Sequence, residues 1–415
     1  MMSKLIAIIV IVLGVVALAQ LIRVYELSSK LRNAGENEVN NRDNRLNGNL
    51  MIVFMILFYL GFIYLMLTYG WTGRGDAASV HGREIDWLLN LNFVIVIIVF
   101  FLTNTLLFVF TYKYIRKPGV KAFYFPHDNK LEMIWTVVPA AVLAIIIILG
   151  LKSWNSVTDE AKKESIRVEL FSKQFDWTAR YSGEDNKLGS FDYKLTTDNN
   201  ELGLLTKNTI DTAIFQMENG LSGITTLEKK LNDRKLMLIP EDREKMIVDL
   251  ERKQRLIRIL YQMQSRHNSK LDAAAWDDII QKDTLYLCQN KEYELNFRAK
   301  DVIHSAYLQH FRVQMNTVPG LTTRFKFTPD VTTKEMRSRK KDDKFNYVLM
   351  CNKICGGAHY KMKMIVVVLP QNEYNSWMKS KIASSTFKHK YFPVVEATPA
   401  PSTTPAIDST VVAVN

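Results

Sequence analysis

Two thiols, an imidazole and a thioether lie in one short stretch, Cys351-Asn352-Lys353-Ile354-Cys355-Gly356-Gly357-Ala358-His359-Tyr360-Lys361-Met362. Their spacing is C-x3-C-x3-H-x2-M. Thiolate and thioether are soft donors and imidazole is borderline, a set that favours copper over magnesium or calcium. Gly356 and Gly357 permit the tight backbone that wraps ligands around a metal. The stretch falls between two β-prone runs, 345–350 and 364–369, so it is expected to be a loop joining two strands of a β-sandwich. A disulfide would leave His359 and Met362 unexplained, and structural zinc sites rarely use methionine. Copper is the expected occupant.

The composition says what must carry such a loop. The chain has 415 residues, room for two or three domains, and its 47% hydrophobic content is concentrated in the first 152 residues. That asymmetry is expected of a membrane protein with an aqueous domain. Of three cysteines, two belong to the loop, and Cys288 in Leu285-Tyr286-Leu287-Cys288 reads as a buried strand thiol. No disulfide framework follows. Without a Cys-x-x-Cys-His sequence, no covalent haem is expected. The net charge of +12 could suit nucleic acid. No nucleic-acid motif accompanies it, and many of the cations flank apolar runs, where membrane orientation explains them.

Four apolar runs, 5–21, 50–69, 88–112 and 131–151, are each long enough to cross a bilayer. The connection 23–49 carries Arg23, Lys30, Arg32, Arg42 and Arg45, and 113–130 carries Lys113, Arg116, Lys117, Lys121 and Lys130. The connection 70–86 carries only Arg74 and Arg83. The positive-inside rule places the two basic loops in the cytoplasm, and both termini outside. Ala17-Leu18-Ala19 before Gln20 also fits a signal-peptide cleavage site. Cleavage would leave three spans and a cytoplasmic copper domain, against the charge bias, so 5–21 is read as a retained span.

The copper loop resembles the binuclear copper (CuA) motif of subunit II of the haem–copper cytochrome c oxidases. The resemblance implies that Cys351 and Cys355 bridge two coppers, with His359 and Met362 as terminal ligands. Asp301-Val302-Ile303-His304-Ser305 is similar to the segment that supplies the second histidine, which selects His304 over His310. One backbone carbonyl, at Lys353, completes the implied set. His127-Asp128-Asn129-Lys130-Leu131-Glu132-Met133-Ile134-Trp135-Thr136-Val137-Val138-Pro139 resembles the family's transmembrane signature, and implies that Glu132 sits at the mouth of a proton path. Lys173-Gln174-Phe175-Asp176-Trp177 resembles the aromatic cluster that receives the electron. Phe175 stands where the family has its first tryptophan, so either Trp177 or Phe175 would face the donor or electron entry differs here; both also read as sandwich core, Trp177 above all. Lys353 is a second departure. The family's glutamate there lends its carboxylate to a magnesium or manganese ion, which an ammonium group cannot replace.

The resemblance covers roughly 87–200 and 277–380. It implies a transmembrane hairpin, the third and fourth spans, followed by a cupredoxin-like β-sandwich, and with the two extra spans the expected fold is four transmembrane helices and that sandwich. It also implies partner subunits I and III, a cytochrome c-type donor that could join it in a supercomplex, and a bacterial inner membrane with the copper domain on the periplasmic side. The function implied is electron entry to an oxidase that reduces oxygen and pumps protons. A quinol oxidase subunit would lack the ligand set, and nitrous oxide reductase needs a propeller domain for which this chain has no room. A copper chaperone or a membrane scaffold leaves Met362 or the ligand set without a role.

The expected organisation is 1–86 as extra N-terminal helices, 87–155 as a transmembrane hairpin, 156–199 with 276–380 as the sandwich, and 381–415 as a C-terminal segment. Residues 200–275 are unlike the family, in which the resemblance implies a much shorter connection. Ile210, Ile214, Met217, Leu221, Ile224 and Leu231 recur at helical spacing, and Met246, Leu250, Ile257 and Leu260 do so after Pro240. An inserted hairpin of two antiparallel helices is expected there. Residues 334–344 read as a charged loop, and 392–415 as a disordered tail. The topology is testable: a cysteine placed at Asn37 should resist a membrane-impermeant thiol reagent added outside and react once the membrane is opened.

Overall fold

The computed structural model describes residues 2–31, 41–70, 74–117, 119–197, 199–233 and 235–391. The expected tail lies outside them. Two compact units fall within Met1–Gly73 with Leu89–Ile146, and within Arg74–Leu88 with Ile147–Asn415.

Among the described residues, the first unit is built on α1 (Met2–Leu31), α2 (Asn41–Tyr69) and the greater part of α3 (Val80–Lys113) and of α4 (Asn129–Thr158). All four contain windows long and apolar enough to span a membrane. In α2, Phe54, Phe58 and Phe62 repeat every four residues and form one stripe. They meet Phe100 and Phe108 of α3, with Phe62 and Phe100 centroids 4.7 Å apart. The Tyr59 hydroxyl, which could not be left unpaired among these rings, donates to the Phe101 carbonyl at 3.2 Å and lies 2.9 Å from Thr105.

Among the described residues, the second unit holds ten strands. Strands β1 (Ile166–Lys173) and β2 (Asp176–Tyr181) precede the insertion. Strands β3 (Ile279–Lys282), β4 (Thr284–Cys288), β5 (Tyr293–Ala299), β6 (His304–Leu308), β7 (Val313–Thr317), β8 (Thr323–Phe327), β9 (Tyr347–Cys351) and β10 (Lys363–Leu369) follow it. One sheet runs β3-β2-β1-β5-β8 and the other β4-β10-β9-β6-β7. Buried and less buried residues alternate along β5 and β10, as strands with one covered face require. Leu170, Leu295 and Phe297 of the first sheet and Leu287, Leu349 and Val366 of the second share one core. This is the expected β-sandwich. Cys288 is buried in it, as read.

The connection before α3 is more than a polar loop. The Ala78 amide donates to the His310 carbonyl at 2.7 Å, and the Val80 amide to that of Thr328 at 3.1 Å. Ser79 bridges to Pro329 and is wholly buried, while His81 lies edge-on to Phe325 and Phe327. Asp86 receives two charge-assisted bonds from Arg312 at 2.9 Å each.

The insertion is helical and folds back on itself, but its first arm is broken. Helices α5 (Lys207–Asn219) and α6 (Ile224–Asn232) pack on α7 (Pro240–Arg266), and a short α8 (Ala273–Trp276) leads into β3. The break falls at Gly220 and Gly223, where a Cβ would lie 2.5 Å from the Gln216 carbonyl oxygen and 2.6 Å from that of Glu218. Apolar spacing ran through these glycines, but their cost inside a helix and their use at its ends prevail. Pro240 opens α7 as expected. Ile210, Ile214, Ile257 and Leu260 form a separate core.

Residues 334–344 are not a loop throughout. Helix α9 (Thr333–Lys340) starts there, its Thr332 hydroxyl accepting from the Glu335 amide at 3.1 Å. Charge density hid the cap. Helices α10 (Gln371–Ser384) and α11 (Phe387–Tyr391) complete the described fold.

A buried ionic network covers the outer face of the first sheet. Glu169 accepts from Arg180 and Arg298 at 2.6 Å each, and Arg180 also donates to Asp278 at 2.7 Å. Burial alone would raise the Glu169 carboxyl, but the two guanidiniums outweigh it and hold it below its usual value. Burial dominates at Asp278 and pushes it up to about 7. A raised carboxyl binds its proton more tightly in the folded state, so its ionisation costs stability above that pH. The cost is relieved as pH falls from about 7 towards 3.8. Denaturant unfolding should therefore show the parent losing stability as pH rises from 5 to 7, a loss that Asp278→Asn should not show, whatever the variant's overall stability without a carboxylate beside Arg180.

Candidate metal centre

Cys351 ends β9, and Met362 immediately precedes β10. The Cys351 amide donates to the Met362 carbonyl at 3.1 Å, so the two ends of the ligand loop close on each other. A turn over His359–Lys361 is fixed by the His359 amide on the Gly356 carbonyl at 3.1 Å. Gly356 has φ +143°, and a Cβ there would lie 2.9 Å from Gln174 Nε2 and 3.0 Å from the Phe175 ring. Only glycine lets the loop run this close to the turn between β1 and β2.

The second histidine comes from the neighbouring strand. Ala306 of β6 pairs with Cys351, and the Asn352 amide donates to the Ser305 carbonyl at 2.9 Å. His304 is thereby held beside the loop, fully buried. Its Nδ1 lies 3.9 Å from Cys351 Sγ. Its Nε2 lies 2.9 Å from the Asp301 carboxylate, which fixes the ring and leaves Nδ1 facing the thiols.

The remaining donors converge on the same point. The two Sγ atoms are 3.9 Å apart. His359 Nδ1 is 3.6 Å and Met362 Sδ 3.9 Å from Cys355 Sγ, and the Lys353 carbonyl is 3.2 Å from Cys351 Sγ. His304, Cys351 and Cys355 meet the geometry of a metal-binding cluster, with ligand atoms all within 4.8 Å of one another. All six expected ligands are thus together, and both thiols are free rather than joined. The donor chemistry fits the implied copper group: two buried sulfurs at the centre, with imidazoles, a thioether and a carbonyl around them. Burial and the adjacent Cys351 thiol push Cys355 up to about 11. Metal binding there must displace thiol protons.

His310 does not join this cluster. Its Nε2 lies 2.9 Å from Lys340 Nζ and its ring stands against Phe345 and Tyr347. Trp177 is fully buried, edge-on to His304 with centroids 6.3 Å apart. Phe175 is half-buried and touches the loop at Gly356, so of the two rings Phe175 is the one near the surface. The Lys353 side chain is exposed. Glu132 belongs to the helical unit, in the first turn of α4 and 3.7 Å from His127 Nδ1. Two supports take their roles only from the fold: Asp301, which in sequence only flanks the motif histidine, clamps His304, and the Gln174 amide donates to the Cys355 carbonyl. Both lie inside segments singled out for other residues.

Comparison with known proteins gives a consistent picture. The family described as cytochrome c oxidase subunit II, transmembrane domain, matches residues 70–153. The alternative cytochrome c oxidase subunit 2 of Bradyrhizobium diazoefficiens is 23% identical over 335 residues, 80% of this chain and 91% of that one. Cytochrome c oxidase subunit 2 of Thermostichus vulcanus is 32% identical over 111 residues, 26% of this chain and 30% of that one. Among solved structures, the periplasmic domain of cytochrome oxidase subunit II from Bradyrhizobium japonicum is 15% identical, with coverage of 53% of this chain and 96% of that one and a TM-score of 0.26.

The clamp yields a prediction. Asp301→Asn should leave the fold intact yet weaken copper retention by about 10- to 100-fold, measured by competition with a chelator. Unchanged retention would mean that Asp301 does not orient His304.

Proposed function

For a chain related to subunit II of the cytochrome c oxidases, we propose the role of electron-entry subunit in a respiratory terminal oxidase. The observation that carries the reading is the convergence of His304, Cys351, Lys353, Cys355, His359 and Met362 on one buried point. Cys351 and Cys355 would bridge two coppers, with His304, His359, Met362 and the Lys353 carbonyl as terminal ligands. Bound in this way, the copper pair supplies one-electron storage shared by both metals.

The chain's own residues hold that site still. Strands β6 and β9 fix His304 and Cys351 to each other, Asp301 sets the imidazole, and Gln174 pins the Cys355 carbonyl. Burial of Cys351, Cys355, Met362 and His304 excludes water and so limits solvent reorganisation when charge moves. Phe175, against the loop and partly at the surface, is the contact proposed for a cytochrome c-type donor, with Trp177 as core behind it. Glu132 is proposed at the mouth of a proton path into subunit I, where oxygen chemistry and proton pumping would reside. Subunit III is the other proposed neighbour. The setting proposed is a bacterial inner membrane, with the copper domain in the periplasm.

Copper counting and electron paramagnetic resonance on the purified chain test this. The expected result is two coppers sharing one unpaired electron. A single-copper spectrum, or zinc, would overturn it. Cys351→Ser and Cys355→Ser should each abolish the signal, since each thiolate would bridge both metals.

Lys353 adds a second test. Its carbonyl can serve copper whatever the side chain, but its ammonium has no lone pair for a hard cation. Cells grown on manganese should yield an oxidase with no bound-manganese resonance at the boundary with subunit I. A signal there would contradict the reading.

A further inference from the structure

The connection between α3 and α4 combines cations with large apolar side chains. Lys113, Arg116, Lys117 and Lys121 are all exposed. So are the rings of Tyr114, Phe123, Tyr124 and Phe125, with Phe123 85% and Tyr124 86% exposed. Rings so open are costly to leave in water. The two sets are not scattered: the four cations line one cavity of about 1190 Å³ together with Tyr114, Phe123 and Phe125. Phe123 and Phe125 stack with centroids 5.9 Å apart, and Lys113 Nζ lies 5.4 Å from the Tyr114 ring.

The surface is anchored rather than loose. The Asn44 side-chain amide, in the first turn of α2, donates to the Arg116 carbonyl at 2.9 Å. That places Arg42 and Arg45 on the element to which the loop is tied. The nearby acids have local work: Asp43 accepts from the Tyr25 hydroxyl at 2.6 Å, and Asp128 from the Lys130 and Leu131 amides at 2.8 and 3.1 Å. Solvation accounts for the cations but not for the rings. An apolar protein contact accounts for the rings but not for several like charges around them. A phospholipid headgroup region satisfies both, since aromatic rings settle at the hydrocarbon boundary and Lys and Arg meet the phosphates.

We propose that residues 113–117 and 119–125, with the start of α2, bind an anionic phospholipid of the adjoining membrane leaflet. Its phosphate is held by Lys113, Arg116, Lys117 and Lys121, and its acyl chains lie against Tyr114, Phe123 and Phe125. This site is independent of the copper reading.

The test uses the full chain in detergent micelles titrated with fluorescent diphosphatidylglycerol, with phosphatidylcholine and inorganic phosphate as competitors. Each cation near an anionic surface is worth about fivefold in affinity, so the triple variant Arg116→Gln, Lys117→Gln, Lys121→Gln should bind about a hundredfold more weakly. The equally discharged variant Lys229→Gln, Lys230→Gln, Lys270→Gln, altered in the insertion, should bind as the parent does. Phe123→Ser with Phe125→Ser should also weaken binding. Circular dichroism reports whether each variant folds. If the triple does not, the single variants are each expected to lose about fivefold. Equal loss in both triples, effective competition by phosphatidylcholine or by inorganic phosphate, or a co-purifying polypeptide that covers the loop would overturn the proposal.

Discussion

The pairing of Ala306 with Cys351 is the contact on which the rest of the β-domain depends. A five-ligand loop can curl around a metal by itself, but a donor from a different part of the chain needs a strand at fixed distance. Neighbouring strands in a ladder lie about 4.8 Å apart, and the β6–β9 register converts that spacing into a position for His304. A slip of one residue would turn His304 to the other face of the sheet. The Asn352 and Cys351 amides, bonded to Ser305 and Met362, secure the register where the strands end. The sandwich behind them, from Leu349 to Phe297, makes a slip expensive by burying one face of each strand.

The same register explains which parts of the site are rigid and which are open. His304 and Trp177 lie within the sandwich, edge-on to each other, and cannot move without disturbing the core. On the other side of the loop, Ile354 and Tyr360 are largely exposed. A centre sealed on one side and open on the other can be insulated from water yet approached by another protein. Phe175 lies at this boundary and owes its place to the absence of a side chain at Gly356.

Much of this was legible in the sequence. Soft donors at short spacing located the ligand cluster, apolar runs located the spans, and β-prone runs located the two strands that carry the loop. What remained hidden depended on contacts between distant segments. Nothing local in Ala78-Ser79-Val80 announces that it lies against Phe311 and Thr328. Gly220 and Gly223 were visible, yet the helical spacing of Ile214, Leu221 and Ile224 concealed the break. In 334–344 the density of Lys, Arg and Asp outweighed Thr332, which lies just before it and caps α9. The pairing of Arg180 with Glu169 is a long-range event, and an isolated Glu or Arg on a strand reads as solvent-facing until something is known to cover it.

The insertion's private core has a consequence for how the chain reaches its native state. β1 pairs in parallel with β5, Ile166 against Tyr293, and the insertion lies between them in sequence. An unstructured connection of that length would make the encounter slow, because the entropy of closing a loop must be spent before the ladder forms. Helices α5 to α7 gather around Ile210, Ile214, Ile257 and Leu260 without help from either sheet. Helical contacts of this kind form on a much faster timescale than strand pairings between distant segments. Once they have formed, Tyr181 and Ile279, which are register partners, are separated by a short compact tether instead of a long random one. The added sequence thus shortens the search it would otherwise have lengthened.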